Sequence, residues 1–416
     1  MKVGEVSHPE RASHGKPLDG VRVLALEQMQ ALPYATQLLA HLGAEIVKVE
    51  TPGTGETGRL SRPAVVDEDG REVGATYLRN NLSKKSITVD LKQEAGRELV
   101  KRLVPHFDIV AENFRTGVME KFGLDYESLA AIDPKTIYVS VSGFGHLEES
   151  PYASWPAYAP IAEAMAGLYE PNRKEGEPPP VVVAGALGDI SSALFAVIGL
   201  LSALRQRDRT GEGQHVDISM FDAMVAVSDM PPFMWSMGAP PWMAAAGKFA
   251  ICAGFEASDG WFVIGVFREH QFERFAELLG HPEWVGDPRF ATREGWAQQI
   301  EPTIRPALEA WAADKTRLEA CGLLGEAGIP AGPSNRPEDL AADPHVAARN
   351  MLIEVPRPDA DDPMLVVGNP VKLSKMAEGP VGSFPRLGAD TDDVLRETLE
   401  LTDEEIAALR AQGVID

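Results

Sequence analysis

Residues 21 to 50 constrain the fold most. Val21 to Leu26 is a short apolar strand, and Gln28-Met29-Gln30-Ala31-Leu32-Pro33 connects it to a helical pattern over Tyr34 to Leu42. Gly43 stops that helix and Ala44 to Glu50 forms a second strand. A strand–helix–strand unit of this length requires a parallel sheet with a right-handed crossover. The alternation continues through strands at Ser86–Asp90, Phe107–Ala111 and Ile137–Ser142 with a helix at Gln93–Val104, so the class is α/β. The first strand-to-helix turn carries no G-x-G-x-x-G. That pattern occurs one step later, at Gly53-Thr54-Gly55-Glu56-Thr57-Gly58, where no helix follows. It is read as a loop, with a place near a phosphate left open.

At 416 residues the chain exceeds one ordinary core, which implies two domains or one domain with a large excursion. The expected division is a large Rossmann-like domain from residues 1–227 and 331–416, with a linker and a small domain over 228–330. The change of character near Ser228 marks the first boundary, where Met230 to Met243 is rich in Met, Trp and Pro. Gly328-Ile329-Pro330-Ala331-Gly332-Pro333 marks the second, and residues 1–18 read as a loose leader. A net charge of −23 argues against nucleic acid or an anionic membrane as a partner. Two cysteines make no disulfide framework, and the opening residues lack the apolar core of a signal peptide. With no uncharged apolar run of membrane length, a cytoplasmic location is expected. Nine histidines show no metal-ligand spacing, so no metal is expected. Lys84, Lys85, Lys92, Arg115 and Lys121 follow successive strands, and such a basic ring in an acidic chain suggests a phosphate-bearing ligand.

The stretch Gly185 to Asp222 reads as a turn, an apolar helix, a glycine turn and a strand. Ile190, Leu194, Val197, Leu201 and Leu204 fall on one helix face. Gly188 breaks the chain, and Asp189 stands where an N-cap belongs. The local pattern favours a cap. The same position would also suit a carboxylate nucleophile, and Gly185, Ala186 and Gly188 leave room for a substrate.

Several motifs together resemble the family III CoA-transferases of the CaiB/BaiF type. They are Lys16-Pro17-Leu18-Asp19-Gly20-Val21-Arg22-Val23-Leu24, Leu42-Gly43-Ala44-Glu45-Ile46-Val47-Lys48-Val49-Glu50, Ala111-Glu112-Asn113-Phe114, Gly185-Ala186-Leu187-Gly188-Asp189, Arg209-Thr210-Gly211-Glu212-Gly213-Gln214 and Pro385-Arg386-Leu387-Gly388-Ala389-Asp390-Thr391. The resemblance implies a Rossmann-like large domain built from both chain ends, a small domain, and an interlocked homodimer. It implies that CoA moves from an acyl-CoA to a carboxylic acid, CoA being part of the substrate and no cofactor tightly bound. Asp189 matches the family's nucleophile, which passes through aspartyl anhydride and aspartyl-CoA thioester intermediates. Gln30 matches a glutamine near the reacting acyl group. Val89, Lys92, Asn113, Phe114 and Lys121 match CoA-contacting positions, with Lys121 standing where the formyl-CoA branch has arginine.

The chain departs from that branch at Thr51, Ser142 and Phe144, which replace an arginine, a lysine and a tyrosine, and it lacks the tandem-glycine loop. A larger or more apolar acid than oxalate is therefore expected. Two alternatives remain at this stage. One is a 2-methylacyl-CoA racemase, which carries a His-Asp pair where this chain has Tyr158-Ala159. A racemase needs a base on each face of the substrate. The other is a CoA-binding protein without turnover.

Overall fold

The structure, a computed structural model, describes residues 1–147, 150–170, 173–174, 176–181, 185–239 and 249–416. It divides into two compact units. The first comprises Met1–Leu168, Val181–Val227 and Pro344–Asp416. Its centre is a six-stranded parallel sheet. The strands run, edge to edge, Lys85–Thr88, Glu45–Glu50, Arg22–Leu26, Ile109–Glu112, Ile137–Ser142 and His215–Ser219. Numbered along the chain, that order is 3-2-1-4-5-6, the doubly wound arrangement. Strand order reverses between Arg22–Leu26 and Ile109–Glu112, so a crevice opens at the carboxyl ends of those two strands.

Both sheet faces are covered, which explains why the central strands are apolar at nearly every position. Val23, Ala25, Ile46, Ile109, Ile137 and Val139 lie under the helices Ala31–His41 and Leu187–Thr210. Leu24, Leu26, Val47, Ile87 and Val110 lie under the helix Glu94–Leu103 and the C-terminal helices Thr391–Leu399 and Asp403–Ala411. The Leu387-Gly388-Ala389-Asp390-Thr391 motif has a physical reason: it closes the sheet's free edge. Ser86 N donates to Asp390 Oδ2 at 2.8 Å, Thr88 N to Thr391 Oγ1 at 3.1 Å, and Asp390 N to the Ser86 carbonyl at 3.0 Å.

The Leu187–Thr210 helix is long and apolar enough to cross a bilayer, but it is a core element of this unit. Its buried face matches the expected one only in part: Leu204 is buried and Val197 packs against the core. Ala193, Ala196, Leu200 and Ala203 face the core, while Leu194 and Leu201 are exposed. Small residues win because the helix lies very close to its neighbours. A Cβ on Gly199 would sit 2.5 Å from Val216 Cγ1. Residues 1–18 are not loose either. Val3 N donates to the Glu354 carbonyl at 3.1 Å, and Ser7 pairs with Glu378.

The second unit holds Tyr169–Pro180 and Ser228–Asp343. A three-stranded antiparallel sheet, Ala331–Pro333, Gly260–Val266, Ile251–Ala257, packs Phe255 and Phe262 against Phe275, Trp284 and Trp296. The expected boundary at 331 therefore moves. Ala331–Pro333 pairs with Gly260–Val266 and so belongs to this sheet. Within the expected linker, Met230–Ser236 is a helix, and Pro240 to Met243 lie outside the described residues.

Beneath the first two strands lies a buried ionic cluster. Lys48, fully buried, is 3.7 Å from Glu27 and 3.5 Å from Glu56, and it donates to Asn81 Oδ1 at 3.1 Å. Lys84 donates to Glu27 at 2.6 Å, and Arg59 grips Glu50 through two bonds of 2.7 and 2.8 Å. Burial alone would push the Glu27 carboxyl up, but Lys84 and Lys48 outweigh it and hold the group below its ordinary range. Three cations face three anions, so removing one strands a buried charge. Lys48→Ala is expected to lower stability by about 3–5 kcal/mol in urea unfolding. A loss below about 1 kcal/mol would show that Lys48 carries no unsatisfied partner.

Candidate active site

The turn after the first strand is built by that cluster. Glu27, the residue after Leu26, accepts from Thr36 Oγ1 at 2.8 and 3.0 Å, tying the turn to the helix it feeds. Lys84 also donates to the Pro33 carbonyl at 2.9 Å. Met29 adopts φ 64°, and its N–H donates to Glu56 Oε2 at 2.9 Å. The next residue, Gln30, is buried at the N-cap position of the Ala31–His41 helix. Across the crevice, Asn113 and Gln28 clasp each other. Gln28 N donates to Asn113 Oδ1 at 2.8 Å and Asn113 Nδ2 to the Gln28 carbonyl at 2.9 Å. The strand-order reversal thus carries a rigid, polar floor.

Arg79, on the helix Ala75–Asn80, donates through Nη2 to Gln30 Oε1. An arginine only donates, so this bond turns the amide oxygen of Gln30 toward Arg79. The Gln30 NH2 group, with two donors, is then left on the side away from Arg79. Arg79 also acts on the charge of Asp189.

Asp189 is not the helix cap. The helix begins at Leu187, the cap position is Ala186 at φ 49°, and Asp189 is the third helical residue. Ala186 has no side chain to accept a hydrogen bond. The acceptor comes instead from the helix Ala159–Met165, where Glu163 Oε1 takes the Gly188 N–H at 2.9 Å. Glu163 is 3% exposed. Among the described residues no hydrogen bond engages the Asp189 carboxylate. Burial first, and then the Glu163 charge, push Asp189 up to about 6 against the pull of Arg79. The group remains ionised at neutral pH while being more basic than an ordinary aspartate.

Gly188 sits where the two helices meet. A Cβ there would lie 2.9 Å from Ala159 Cα and 3.1 Å from Ala159 Cβ. Ala159 is buried in this contact, while Tyr158 is 72% exposed.

The family model for CoA-transferase family III matches residues 18–391. The chain belongs to this family. The transferase is 37% identical to the succinyl-CoA–D-citramalate CoA-transferase of Chloroflexus aurantiacus, over 96% of this chain and 98% of that one. It is 35% identical to the succinyl-CoA:mesaconate CoA-transferase of Haloarcula marismortui, over 91% and 96%. A crystal structure of a CaiB/BaiF family protein from Brucella suis superposes with a TM-score of 0.80 at 34% identity, covering 92% of this chain and 99% of that one.

In this family III CoA-transferase, the residues expected at the site separate into three groups. Gln30 accepts from Arg79, and the Arg79 charge also acts on Asp189. Asn113 and Phe114 follow the strand Ile109–Glu112, with Asn113 fixed by Gln28. The adjoining Glu112 is buried, which pushes its carboxyl up to about 8, and its Oε2 accepts from Phe114 N at 2.8 Å. Lys92 and Lys121 are exposed beyond their strands, and among the described residues neither ammonium has an ion-pair partner. Val89 is buried in the core and its N–H donates to the Glu50 carbonyl at 2.9 Å, so its side chain offers nothing to a ligand.

The basic ring is smaller than expected. Lys84 belongs to the buried cluster and Lys85 pairs with Glu45 at 2.8 Å, which leaves Lys92, Arg115 and Lys121. The glycine-rich loop is not a phosphate cradle. Gly53 N donates to Asp416 Oδ2 at 2.6 Å and Gly58 N to Glu56 Oε2 at 2.6 Å, so carboxylates hold these amides. Sequence reasoning missed Arg79 and Glu163. Arg79 precedes the basic run by five residues and has no motif of its own. A glutamate three residues into a short helix after Pro160 carries no sequence signal for a site 25 residues downstream.

Proposed function

We propose that the transferase moves CoA from an acyl-CoA to a carboxylic acid through covalent intermediates on Asp189. The carboxylate oxygen attacks the thioester carbonyl, the C–S bond breaks, and CoA leaves as thiolate with an acyl–aspartyl anhydride left behind. The thiolate then attacks the aspartyl carbonyl, releases the donor acid and forms aspartyl-CoA thioester. The acceptor carboxylate attacks that thioester, and the returning thiolate attacks the acceptor's acyl carbon and restores Asp189. Each step exchanges one nucleophile for one leaving group, and no proton is required. The observation that carries this reading is a half-buried carboxylate that no hydrogen bond engages among the described residues, under the charge of the same Arg79 that holds the Gln30 amide.

Lys92 and Lys121 are proposed to hold the phosphates of CoA, with Asn113 and Phe114 beside the rest of the molecule. Free cations are scarce in a chain of net charge −23, which supports this assignment. The donor is proposed to be a dicarboxylic acyl-CoA such as succinyl-CoA, and the acceptor a larger acid than oxalate. Two relatives named for succinyl-CoA support this, as does Arg79, whose remaining donors suit a second carboxylate. Racemisation is disfavoured because Ala159, fully packed on Gly188, offers no second base. With a panel of acyl-CoA donors and acids read by mass spectrometry, succinyl-CoA should outperform formyl- and oxalyl-CoA. Asp189→Ala should reduce transfer by about 10⁴-fold or more with the fold retained. Residual transfer within about tenfold of wild type would place the nucleophile elsewhere.

A homodimer is also proposed. Leu194, Ile198 and Leu201 form an exposed apolar row along the Leu187–Thr210 helix, the kind of surface that a second chain covers. Ile198→Glu should shift sedimentation toward monomer. An unchanged dimer, or a wild-type monomer, would refute this surface as the interface.

A further inference from the structure

The carboxylate that caps the catalytic helix is not the catalytic one. We propose that Glu163 is a positioning residue of the transferase, which caps the Leu187–Thr210 helix in place of Asp189 and so leaves the Asp189 carboxylate available for attack. The inference rests on the reading of Asp189 as nucleophile.

The first-turn amides of a helix have no partner within it. Here the first intrahelical bond runs from Ile190 N to the Ala186 carbonyl at 3.1 Å, so the N–H groups before it need other acceptors. Ala186 supplies none, and Gly185, at φ 81°, supplies none. An aspartate in the first turn is ordinarily drawn to these amides, and a carboxylate so engaged is a weaker nucleophile. Glu163 intervenes from the neighbouring helix at 2.9 Å from Gly188 N, one residue before Asp189. It reaches that amide because Gly188 lets Ala159 approach to contact.

The charge of Glu163 acts as well as its oxygen. From the Ala159–Met165 helix Glu163 faces Asp189, and from the Ala75–Asn80 helix Arg79 does. The Ala31–His41 helix, which also packs on the catalytic helix, brings Tyr34, and its only other titratable group, His41, is at the opposite end. After burial, the nearby Glu163 charge is what raises Asp189 to about 6, and Arg79 opposes it. The sign is that of a raised carboxylate: the ionised, reactive form is lost as pH falls through about 6 rather than through the ordinary range.

Two variants separate the two effects. Glu163→Gln keeps an acceptor oxygen on a side chain of the same length and removes the charge. Glu163→Ala removes both. Transfer is measured against pH, with kcat, donor KM and the thermal melt recorded for each. For Glu163→Gln the acid limb should move down by about one pH unit, with kcat at neutral pH reduced by less than about tenfold. For Glu163→Ala kcat should fall by about 100-fold, with donor KM nearly unchanged. Wild-type kcat and acid limb in both variants would overturn the proposal, as would a Gln variant no better than Ala. Should the Ala variant fail to fold, the acid limb of the Gln variant decides. A dead Asp189→Ala enzyme beside wild-type Glu163 variants would sink this inference alone, whereas an active Asp189→Ala enzyme would sink the nucleophile reading itself.

Discussion

The site depends on how the N-terminus of one buried helix is satisfied. The Leu187–Thr210 helix starts beside the Ala159–Met165 helix, and Gly188 is buried in that contact, so its amide needs an acceptor from the protein. The Glu163–Gly188 hydrogen bond meets that need from outside the helix. Its consequence is chemical: Asp189, one residue on, keeps a carboxylate that no hydrogen bond engages among the described residues, in surroundings that raise its basicity. Gly188 makes the arrangement possible, since any side chain there would collide with Ala159. The packing contact and the proposed nucleophile therefore come from adjacent residues.

The placement of Gln30 has a different origin. Gln30 follows a turn whose conformation is fixed by Glu27, Glu56, Lys48 and Lys84 rather than by apolar packing. Such clusters are seldom the most stable filling for a core. This one anchors the turn after the first strand, the start of the following helix and the loop at residues 53–58. Arg79 then completes the link by turning the Gln30 amide. A doubly wound sheet provides the crevice, and the buried charges set where the side chains in it point.

Much of this was legible in the chain. The strand–helix–strand pattern at 21–50 led to the parallel sheet, and the separated motifs led to the family. The position of Asp189 near a helix start is readable, but the local pattern alone favours a cap, and the cap position is Ala186. The pattern Gly-Asp before an apolar run describes a cap well, and only the arrival of Glu163 from a distant segment changes it. The helix face was misread for a related reason: large residues were expected inward, whereas close helix packing favours Ala193, Ala196 and Ala203. Lys84 and Lys85 read as members of a basic ring because their partners, Glu27 and Glu45, lie 57 and 40 residues away. Pairing across such separations leaves no local pattern, and the small-unit boundary at 331 moved because a three-residue strand pairs with a partner far earlier in the chain.

The most direct test of the central claim is to trap the covalent intermediate. Enzyme incubated with acyl-CoA and hydroxylamine, then digested and mapped by mass spectrometry, should carry a hydroxamate on Asp189 and on no other carboxylate. It should require the acyl-CoA, because only an activated aspartyl carbonyl reacts with hydroxylamine. Turnover of the acyl-CoA with Asp189 unmodified, or a hydroxamate on another residue, would contradict the account.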